Sequence, residues 1–273
     1  MELNDSLFRS LIRRLFSVKI RQKLKAKFAL MVGGPNLLGN LSNAYMSDKN
    51  SGHSYTQHYQ FFLQHLRKKP INLLEIGIGG YDDPNQGGSS LRMWKDFFPK
   101  GQINGIDLFF KKGIEENRIR TFYGSQADPE FLKEVLQEIG QPDIIIDDGS
   151  HINHLTIKTF ELLFPHLKKD GFYIIEDLQT SYWPELMGVK WGGSLDLNSD
   201  FTVMGFLKRL TDSVNKSEFI DPDYIDSYYD KSVVGISFFH NICIIRKGDN
   251  IEPSNVVGNI KPETRHPQPA SKF

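Results

Sequence analysis

Two carboxylates and two histidines follow a short apolar run in the middle of the sequence. The run PDIII continues into Asp148, His151 and His154 in the segment DDGSHINH. Adjacent like charges at a strand end raise the free energy of the folded state unless a positive group lies beside them. The segment therefore predicts a site for a metal ion or a cationic ligand.

A second pair of acids, Glu176 and Asp177, ends the next predicted strand, in YIIEDLQTSYW. Together with Asp148 they offer three oxygen donors, which suit Mg²⁺ or another divalent cation that keeps positions for a substrate. The alternative is that these acids cap helices or pair with Lys and Arg side chains. Their clustering at strand ends favours a metal site.

His151, three positions beyond Asp148, is the candidate general base. A neutral imidazole can take the proton of a hydroxyl held at a metal, which also lowers the pKa of that hydroxyl. His154 lies at the start of a predicted helix, and we interpret it as structural. The predicted chemistry is deprotonation of a hydroxyl by His151.

An acid followed by glycines, Glu75-x-Gly77-x-Gly79, ends an earlier apolar run. Such glycines let the backbone approach a nucleotide, although a glycine after a strand is common. A dinucleotide fingerprint would need glycine at position 82, which is Asp82, so an NAD-dependent oxidoreductase is the less favoured alternative. Asp107 ends the next strand and can accept both ribose hydroxyls, while Glu75 can face an ammonium. The pattern indicates a nucleoside joined to an amino acid.

Strand and helix signals alternate from residue 71, and this alternation would position all of these side chains. It predicts a mostly parallel sheet covered by helices on both faces, with ligands beyond the carboxyl ends of the strands. Residues 233–248 are predicted to form a final antiparallel hairpin around His240 and Asn241, with Cys243 buried. The predicted strands are 71–80, 102–109, 143–147 and 171–178, and the predicted helices are 89–99, 128–140 and 154–167.

Composition limits the class of protein. With 273 residues and 39% hydrophobic content, the chain can bury a large core. Its 33 basic residues balance 33 acidic ones, so no overall field recruits nucleic acid. No apolar run approaches the roughly 20 residues of a membrane-spanning helix. The single cysteine excludes an internal disulfide framework and fits a cytoplasmic location.

The N-terminal residues 1–44 are locally basic, with no acid in segment 7–31. The apolar residues of the first part recur at helical spacing, which predicts an amphipathic appendage. This appendage would either contact anionic lipid, which makes the protein membrane-associated, or pack on its own domain or another subunit. The residues that show the spacing are Leu7, Leu11, Leu15 and Phe16.

The Glu75 glycine motif with Asp107 resembles the first two motifs of class I S-adenosylmethionine-dependent methyltransferases. This resemblance implies S-adenosylmethionine as the cofactor. It also implies that Ser125 and Gln126 lie at the adenine and that Asp147 lies near the methionine end.

The loop GGYDDPNQGGSS is longer than is usual in this class. Its Tyr81 and Ser90 are therefore further candidate cofactor contacts, although Ser89 or Ser90 could instead cap the next helix. Residues 47–67 look like a lid segment, in which Ser47 and Tyr55 either close over the cofactor or belong to the surface and core.

The segments NLLEIGIGGYDDPNQGGSSLRMWKDFFPKGQINGID, DIIIDDGSHINH and IIEDLQTSYWPE resemble the sugar O-methyltransferases of macrolide biosynthesis. The resemblance implies Mg²⁺-dependent methylation of a deoxysugar hydroxyl, with Asp148, Glu176 and Asp177 as metal ligands and His151 as base. The metal-dependent catechol methyltransferases show a comparable D-x-x-base spacing, with lysine as the base.

The expected fold is a Rossmann-like class I methyltransferase with a seven-stranded, mostly parallel sheet in residues 45–248, followed by a tail or arm over 249–273. The expected acceptor is a small glycosylated molecule with a vicinal diol, on which Tyr182 and Trp183 either stack or instead pack in the core. A homo-oligomer is also expected. The alternative function is a non-catalytic module that binds S-adenosylmethionine and accompanies another enzyme.

Overall fold

The computed structural model of this chain describes residues 17–254 and Val256. Within this part, seven strands alternate with helices. The strands are β1 (Asn72–Ile76), β2 (Gln102–Asp107), β3 (Ile119–Tyr123), β4 (Ile144–Asp147), β5 (Phe172–Glu176), β6 (Val233–Phe239) and β7 (Ile242–Lys247). The α-helices are α1 (Val18–Val32), α2 (Leu37–Tyr45), α3 (Asp48–Ser51), α4 (Thr56–Leu63), α5 (Ser89–Phe97), α6 (Pro129–Ile139), α7 (Asn153–Leu163), α8 (Val203–Val214) and α9 (Tyr228–Ser232).

The seven strands form one sheet in the order β3-β2-β1-β4-β5-β7-β6. The pairs β2/β3, β1/β4 and β4/β5 are parallel, whereas β7 is antiparallel to both β5 and β6. Only β7 therefore runs against the other strands. This arrangement confirms the predicted Rossmann-like fold and its C-terminal hairpin.

The strands at the centre of the sheet are apolar because both of their faces are covered. In β4, Ile144, Ile145 and Ile146 are fully buried. Five of the nine described α-helices begin at a residue whose side chain caps the helix. Asp128, for example, accepts a hydrogen bond from Glu130 N at 3.0 Å, and Pro129 takes the first position of α6.

The chain divides into two compact units. One unit includes Ile78–Tyr123 and the described residues before Asn72, and it contains α1 to α5 with β2 and β3. The other consists of Asn72–Gly77 and the described residues from Gly124 onward, and it contains the other strands and helices listed above. The metal candidates all lie in the second unit.

The domain boundary expected at residue 44 falls inside α2. This helix is largely buried and packs against α5, where Tyr45 Oη donates to Asp96 Oδ2 at 2.6 Å. We therefore propose that the methyltransferase domain begins earlier, near Gly33 and Gly34. The apolar residues that defined the N-terminal pattern, and nearly all of the expected C-terminal arm, lie outside the described residues.

Three predicted strands are too long at their carboxyl ends. The strand predicted over 71–80 ends at Ile76, because Gly77 adopts a positive φ of 81° and turns the chain out of the sheet. The strands predicted over 102–109 and 171–178 end at Asp107 and Glu176. Helix α8 had not been predicted, although Thr202 caps it by accepting from Gly205 N at 3.0 Å.

Among the described residues, no helix has the length and apolar character needed to cross a membrane.

Candidate active site

The loop after β4 places His151 close to two carboxylates. Asp148 leaves the strand with its backbone N–H bonded to the Ile76 carbonyl at 2.9 Å. His151 and Asp177 both have a left-handed backbone, with φ of 55° each. Such conformations are uncommon outside glycine and cluster at functional sites. Both residues lie directly beyond the carboxyl ends of adjacent parallel strands.

Asp148, His151 and Asp177 form a compact cluster of potential metal ligands. One ligand atom from each lies within 4.8 Å of the others. His151 Nε2 is 3.9 Å from Asp148 Oδ1 and 3.6 Å from Asp177 Oδ2. All three side chains are partly accessible, with exposures of 24% for Asp148, 22% for His151 and 16% for Asp177. A small cation and an entering substrate could therefore reach them.

Glu176, the third predicted metal ligand, is placed differently. It is the last residue of β5, only 4% exposed, and is paired in register with Ile242 of β7. It is not one of the three residues in the cluster. The chemistry of the cluster fits a hard divalent cation, since two carboxylates supply oxygen donors.

Asp147, the last residue of β4, is buried, with an exposure of 2%. Burial raises the pKa of its carboxyl to about 7, although Gly149 N–H, at 3.3 Å, favours the charged form. The charge of Asp148 raises the pKa further, while Tyr173 and Gln126 lower it through longer hydrogen bonds. The resemblance to methyltransferases predicts that Asp147 lies near the methionine end of the cofactor. In the structure its carboxyl group also forms hydrogen bonds within the protein.

Replacement of Asp147 by asparagine is expected to remove a pH dependence of folding. Because burial raises the pKa of Asp147 to about 7, the folded protein holds this proton up to about pH 7, whereas the unfolded chain loses it near the ordinary pKa of 3.8. Stability therefore falls as the pH rises between these values, by on the order of 4 kcal/mol at most. Melting temperatures of wild type and Asp147→Asn across that range test this. Parallel curves would contradict it.

Gln126 anchors the candidate catalytic loop. Its Oε1 accepts from Ser150 N at 2.7 Å, and its Nε2 donates to Thr159 Oγ1 at 2.9 Å. The side chain is thus engaged within its own unit, although the sequence placed it at the adenine. Its neighbour Ser125 is exposed and accepts from Ala127 N at 3.3 Å.

Gly77 and Gly79 are each favoured at their positions, for different structural reasons. A Cβ on Gly77 would clash with the carbonyl oxygen of Asp148, so a glycine here lets the β1 loop lie against the β4 loop. A Cβ on Gly79 would meet only Gly87 Cα, at 4.0 Å, although its φ of 74° also favours glycine. Gly79 is therefore free of packing partners on that side, which is what a nucleotide-approach glycine requires. Glu75, in β1, is fully buried.

In the first unit, Asp107 organises the segment that follows the glycine motif. Its Oδ2 accepts from Ile78 N at 3.1 Å and its Oδ1 accepts from Phe109 N at 2.9 Å. Each carboxylate oxygen retains a further lone pair, so the predicted ribose contact remains chemically open. The residues present thus fit a nucleoside with hydroxyl groups.

The remaining predicted cofactor residues of this unit have varied surroundings. Tyr81 is 89% exposed, with φ of 48°, and its carbonyl accepts from Lys111 Nζ. Ser90 is nearly buried within α5, whose N-cap is Gly88, so neither serine caps that helix. Ser47 is 4% exposed and caps α3. Tyr55 is buried, as in the core alternative.

Asn153 is a residue that the sequence analysis missed. It is 1% exposed at the start of α7, and its Nδ2 donates to Thr180 O at 3.0 Å and to Trp191 O at 2.9 Å. Its Oδ1 accepts from Val203 N at 2.7 Å. One amide thereby joins the His151 loop to the segment after Asp177. No local pattern signals this, because all three partners are distant in sequence.

Asn153→Ala is expected to destabilise the protein by about 2 to 4 kcal/mol, since three hydrogen bonds are lost and buried backbone groups lose their partners. Chemical denaturation measures the change, and Asn117→Ala, at an exposed position, serves as the matched control. A difference between the two variants below about 0.5 kcal/mol would show that Asn153 is not structurally important.

The segment that follows Asp177 in sequence carries two accessible aromatic side chains. Tyr182 is 40% exposed, and Trp183 contacts Trp191 edge-to-face with centroids 6.3 Å apart. Neither Tyr182 nor Trp183 is a fully buried core residue. Both therefore remain available to contact an acceptor.

No protein-family model matches the chain. Mycinamicin VI 2''-O-methyltransferase of Micromonospora griseorubida is 43% identical over 218 residues, which cover 79% of this chain and 53% of that protein. Demethylmacrocin O-methyltransferase of Streptomyces fradiae is 44% identical over 218 residues, with coverages of 79% and 54%. This chain is a homologue of O-methyltransferases.

Solved structures of a related methyltransferase have a similar fold. MycE methyltransferase from the mycinamycin biosynthetic pathway, in complex with Mg and SAH, superimposes with a TM-score of 0.75 at 42% identity. That match covers 79% of this homologue and 55% of the MycE chain. MycE has also been solved in complex with Mg, SAH and mycinamycin VI, with a TM-score of 0.74. The homologue described here spans about half the length of these relatives.

Proposed function

We propose that this protein is a metal-dependent O-methyltransferase that moves a methyl group from S-adenosylmethionine to a sugar hydroxyl. The observation that carries the proposal is the convergence of Asp148, His151 and Asp177 beyond the ends of β4 and β5. The homologous MycE binds Mg and SAH, which supports the same pair of cofactors here.

In this proposal the carboxylates of Asp148 and Asp177, with Glu176 as a further candidate, hold Mg²⁺. The bound ion would orient the two oxygens of a vicinal diol and lower the pKa of one hydroxyl. His151 takes the proton from that hydroxyl. The oxygen forms a bond to the methyl carbon, the carbon–sulfur bond breaks, and its electron pair remains on sulfur to give S-adenosylhomocysteine.

The remaining residues bind and orient the cofactor. We propose that Glu75 faces its ammonium group and that Asp107 accepts the ribose hydroxyls. Gly77 and Gly79 would contact the cofactor through their backbone atoms. The other contacts to the cofactor are proposed for the remaining residues predicted from the sequence. Those residues are Ser47, Tyr81, Ser90, Ser125, Gln126 and Asp147. Most of the rate enhancement would come from positioning two reactants that share one site.

The acceptor is proposed to be a small glycosylated molecule, either a natural product or a glycoconjugate. A relative, the tetracenomycin rhamnosyl 3'-O-methyltransferase of Streptomyces olivaceus, is 40% identical over 80% of this chain. Its named substrate carries a deoxysugar, which supports a sugar hydroxyl as the target. A cytoplasmic location and a homo-oligomer are also part of the proposal, and light scattering tests the oligomer.

The deciding experiment uses the full chain after metal removal. Calorimetric titration with S-adenosylmethionine and with NAD identifies the cofactor, and transfer of radiolabelled methyl to a panel of glycosylated diols is then measured with and without Mg²⁺. Metal-dependent transfer supports the proposal. Cofactor binding without transfer to any acceptor would favour the non-catalytic module, and binding of NAD alone would overturn both.

A further inference from the structure

Helix α1 buries only a narrow side against the rest of its unit. Ala26 and Ala29 are 1% and 5% exposed and face the packed side. Gln22 Nε2 donates to the carbonyl of Tyr45 at 3.1 Å, at the end of α2. Since small residues and one amide make this contact, most of the circumference of the 15-residue helix faces away from its own unit.

The outward face of α1 carries an exposed apolar stripe, defined as Ile20, Leu24, Phe28 and Met31. These side chains are 46%, 53%, 63% and 77% exposed. Their spacing of four, four and three residues places them on one side of a helix with 3.6 residues per turn. Large apolar side chains that are contiguous and accessible mark an interaction surface, because their exposure to water is unfavourable.

Basic side chains border the exposed apolar stripe on both sides. At about 100° per residue, Lys27 and Lys23 fall along one edge of the stripe, with Lys19 farther round toward the packed side, and Lys25 and the half-buried Arg21 fall toward the other edge. Residues 18–32 contain no acid. The exposed face of α1 is thus an apolar strip between two cationic edges.

These charges select among three kinds of partner. A second copy of the same helix would bring a surface of equal positive charge, which opposes pairing. A nucleic acid would satisfy the basic edges but offers its phosphates, not an apolar layer, to the stripe. A bilayer with anionic lipids offers negative headgroups for both edges and hydrocarbon for the stripe.

We propose that α1 is a peripheral membrane anchor that lies parallel to the surface of an anionic bilayer. The stripe enters the boundary between headgroups and acyl chains, and the Lys and Arg side chains remain at the headgroups. At about 1.5 Å per residue the helix is too short to cross a bilayer, in agreement with a surface orientation. This membrane contact does not require methyl transfer by the protein.

Flotation of the full chain with vesicles tests this anchor. The vesicles are phosphatidylcholine alone, or phosphatidylcholine mixed with phosphatidylserine. We expect the wild type to bind the mixed vesicles at least tenfold more tightly than the neutral ones, and to be released by high salt. The double variant Leu24→Asn/Phe28→Asn is expected to lose at least tenfold in binding to the mixed vesicles.

Matched controls distinguish binding through α1 from nonspecific hydrophobic adsorption and from a general effect of positive charge. Phe61, 80% exposed on α4, provides an apolar control in Phe61→Asn. The triple variant Lys19→Gln/Lys23→Gln/Lys27→Gln is compared with Lys68→Gln/Lys69→Gln/Lys100→Gln, which removes the same charge elsewhere. Only the α1 variants should lose binding. Absence of wild-type binding, equal losses in the controls, or full binding by the Leu24/Phe28 variant would each overturn the proposal.

Discussion

Replacement of His151 by glutamine is expected to lower the rate of methyl transfer about a thousandfold, because a positioned general base typically contributes between about a hundred and ten thousand. Glutamine keeps the length and polarity of the side chain but cannot take a proton. The measurement is kcat with saturating cofactor and metal. The residual activity should rise with pH, as hydroxide in solution replaces the missing base.

The same variant decides whether His151 is a base or a metal ligand. His151 Nε2 lies within 4 Å of carboxylates from both Asp148 and Asp177, so geometry alone permits either role. If it is the base, Mg²⁺ affinity measured by calorimetry should change less than about threefold. A loss of tenfold or more would identify it as a ligand. His154→Gln, at an exposed position on α7, is the control and should retain full activity.

Replacement of Asp148 by asparagine is expected to weaken Mg²⁺ binding by at least about a hundredfold and to reduce transfer to a similar degree, since one charged oxygen donor is lost. The fold should persist, because the side chain is partly exposed and lies in a loop. Calorimetric titration with Mg²⁺, and recovery of activity at high metal concentration, measure the two effects.

Asp170→Asn is the matched control for this change. Asp170 lies on the surface in a left-handed conformation with φ of 64°, which asparagine also tolerates. Glu176→Gln, tested beside it, shows whether the third acid predicted from the sequence binds the ion directly. If Asp148→Asn kept wild-type metal affinity, the cluster would not be the metal site and the proposed mechanism would be wrong.

Much of the fold could be predicted because its signals are local. The apolar runs of β4 and β5, and the turn at His240 and Asn241 between β6 and β7, each lie within a few neighbouring residues. The acids at the strand ends could be placed together, because parallel strands finish at one edge of a sheet. The sequence therefore predicts that Asp148, Glu176 and Asp177 lie close together, with His151 beside Asp148, and the structure brings Asp148, His151 and Asp177 into one cluster.

The remaining features depend on contacts between distant segments. The amide of Asn153 has partners 27, 38 and 50 positions away, and no pattern around residue 153 reveals them. Glu176 and Asp177 look equivalent in sequence, but strand pairing holds the first in the sheet while the second turns out of it. Helix α8 could have been found from the spacing of Val203, Leu207 and Leu210, all buried.

The position of β7 has a consequence for folding of the protein during its synthesis on the ribosome. Although β7 is the last strand along the described residues, it lies between β5 and β6. Until it emerges, β5 is an open edge that can pair with another chain, and the turn that carries Asp177 has no neighbour on that side. A nascent or prematurely terminated chain that ends before Ile242 would therefore be both inactive and prone to aggregate.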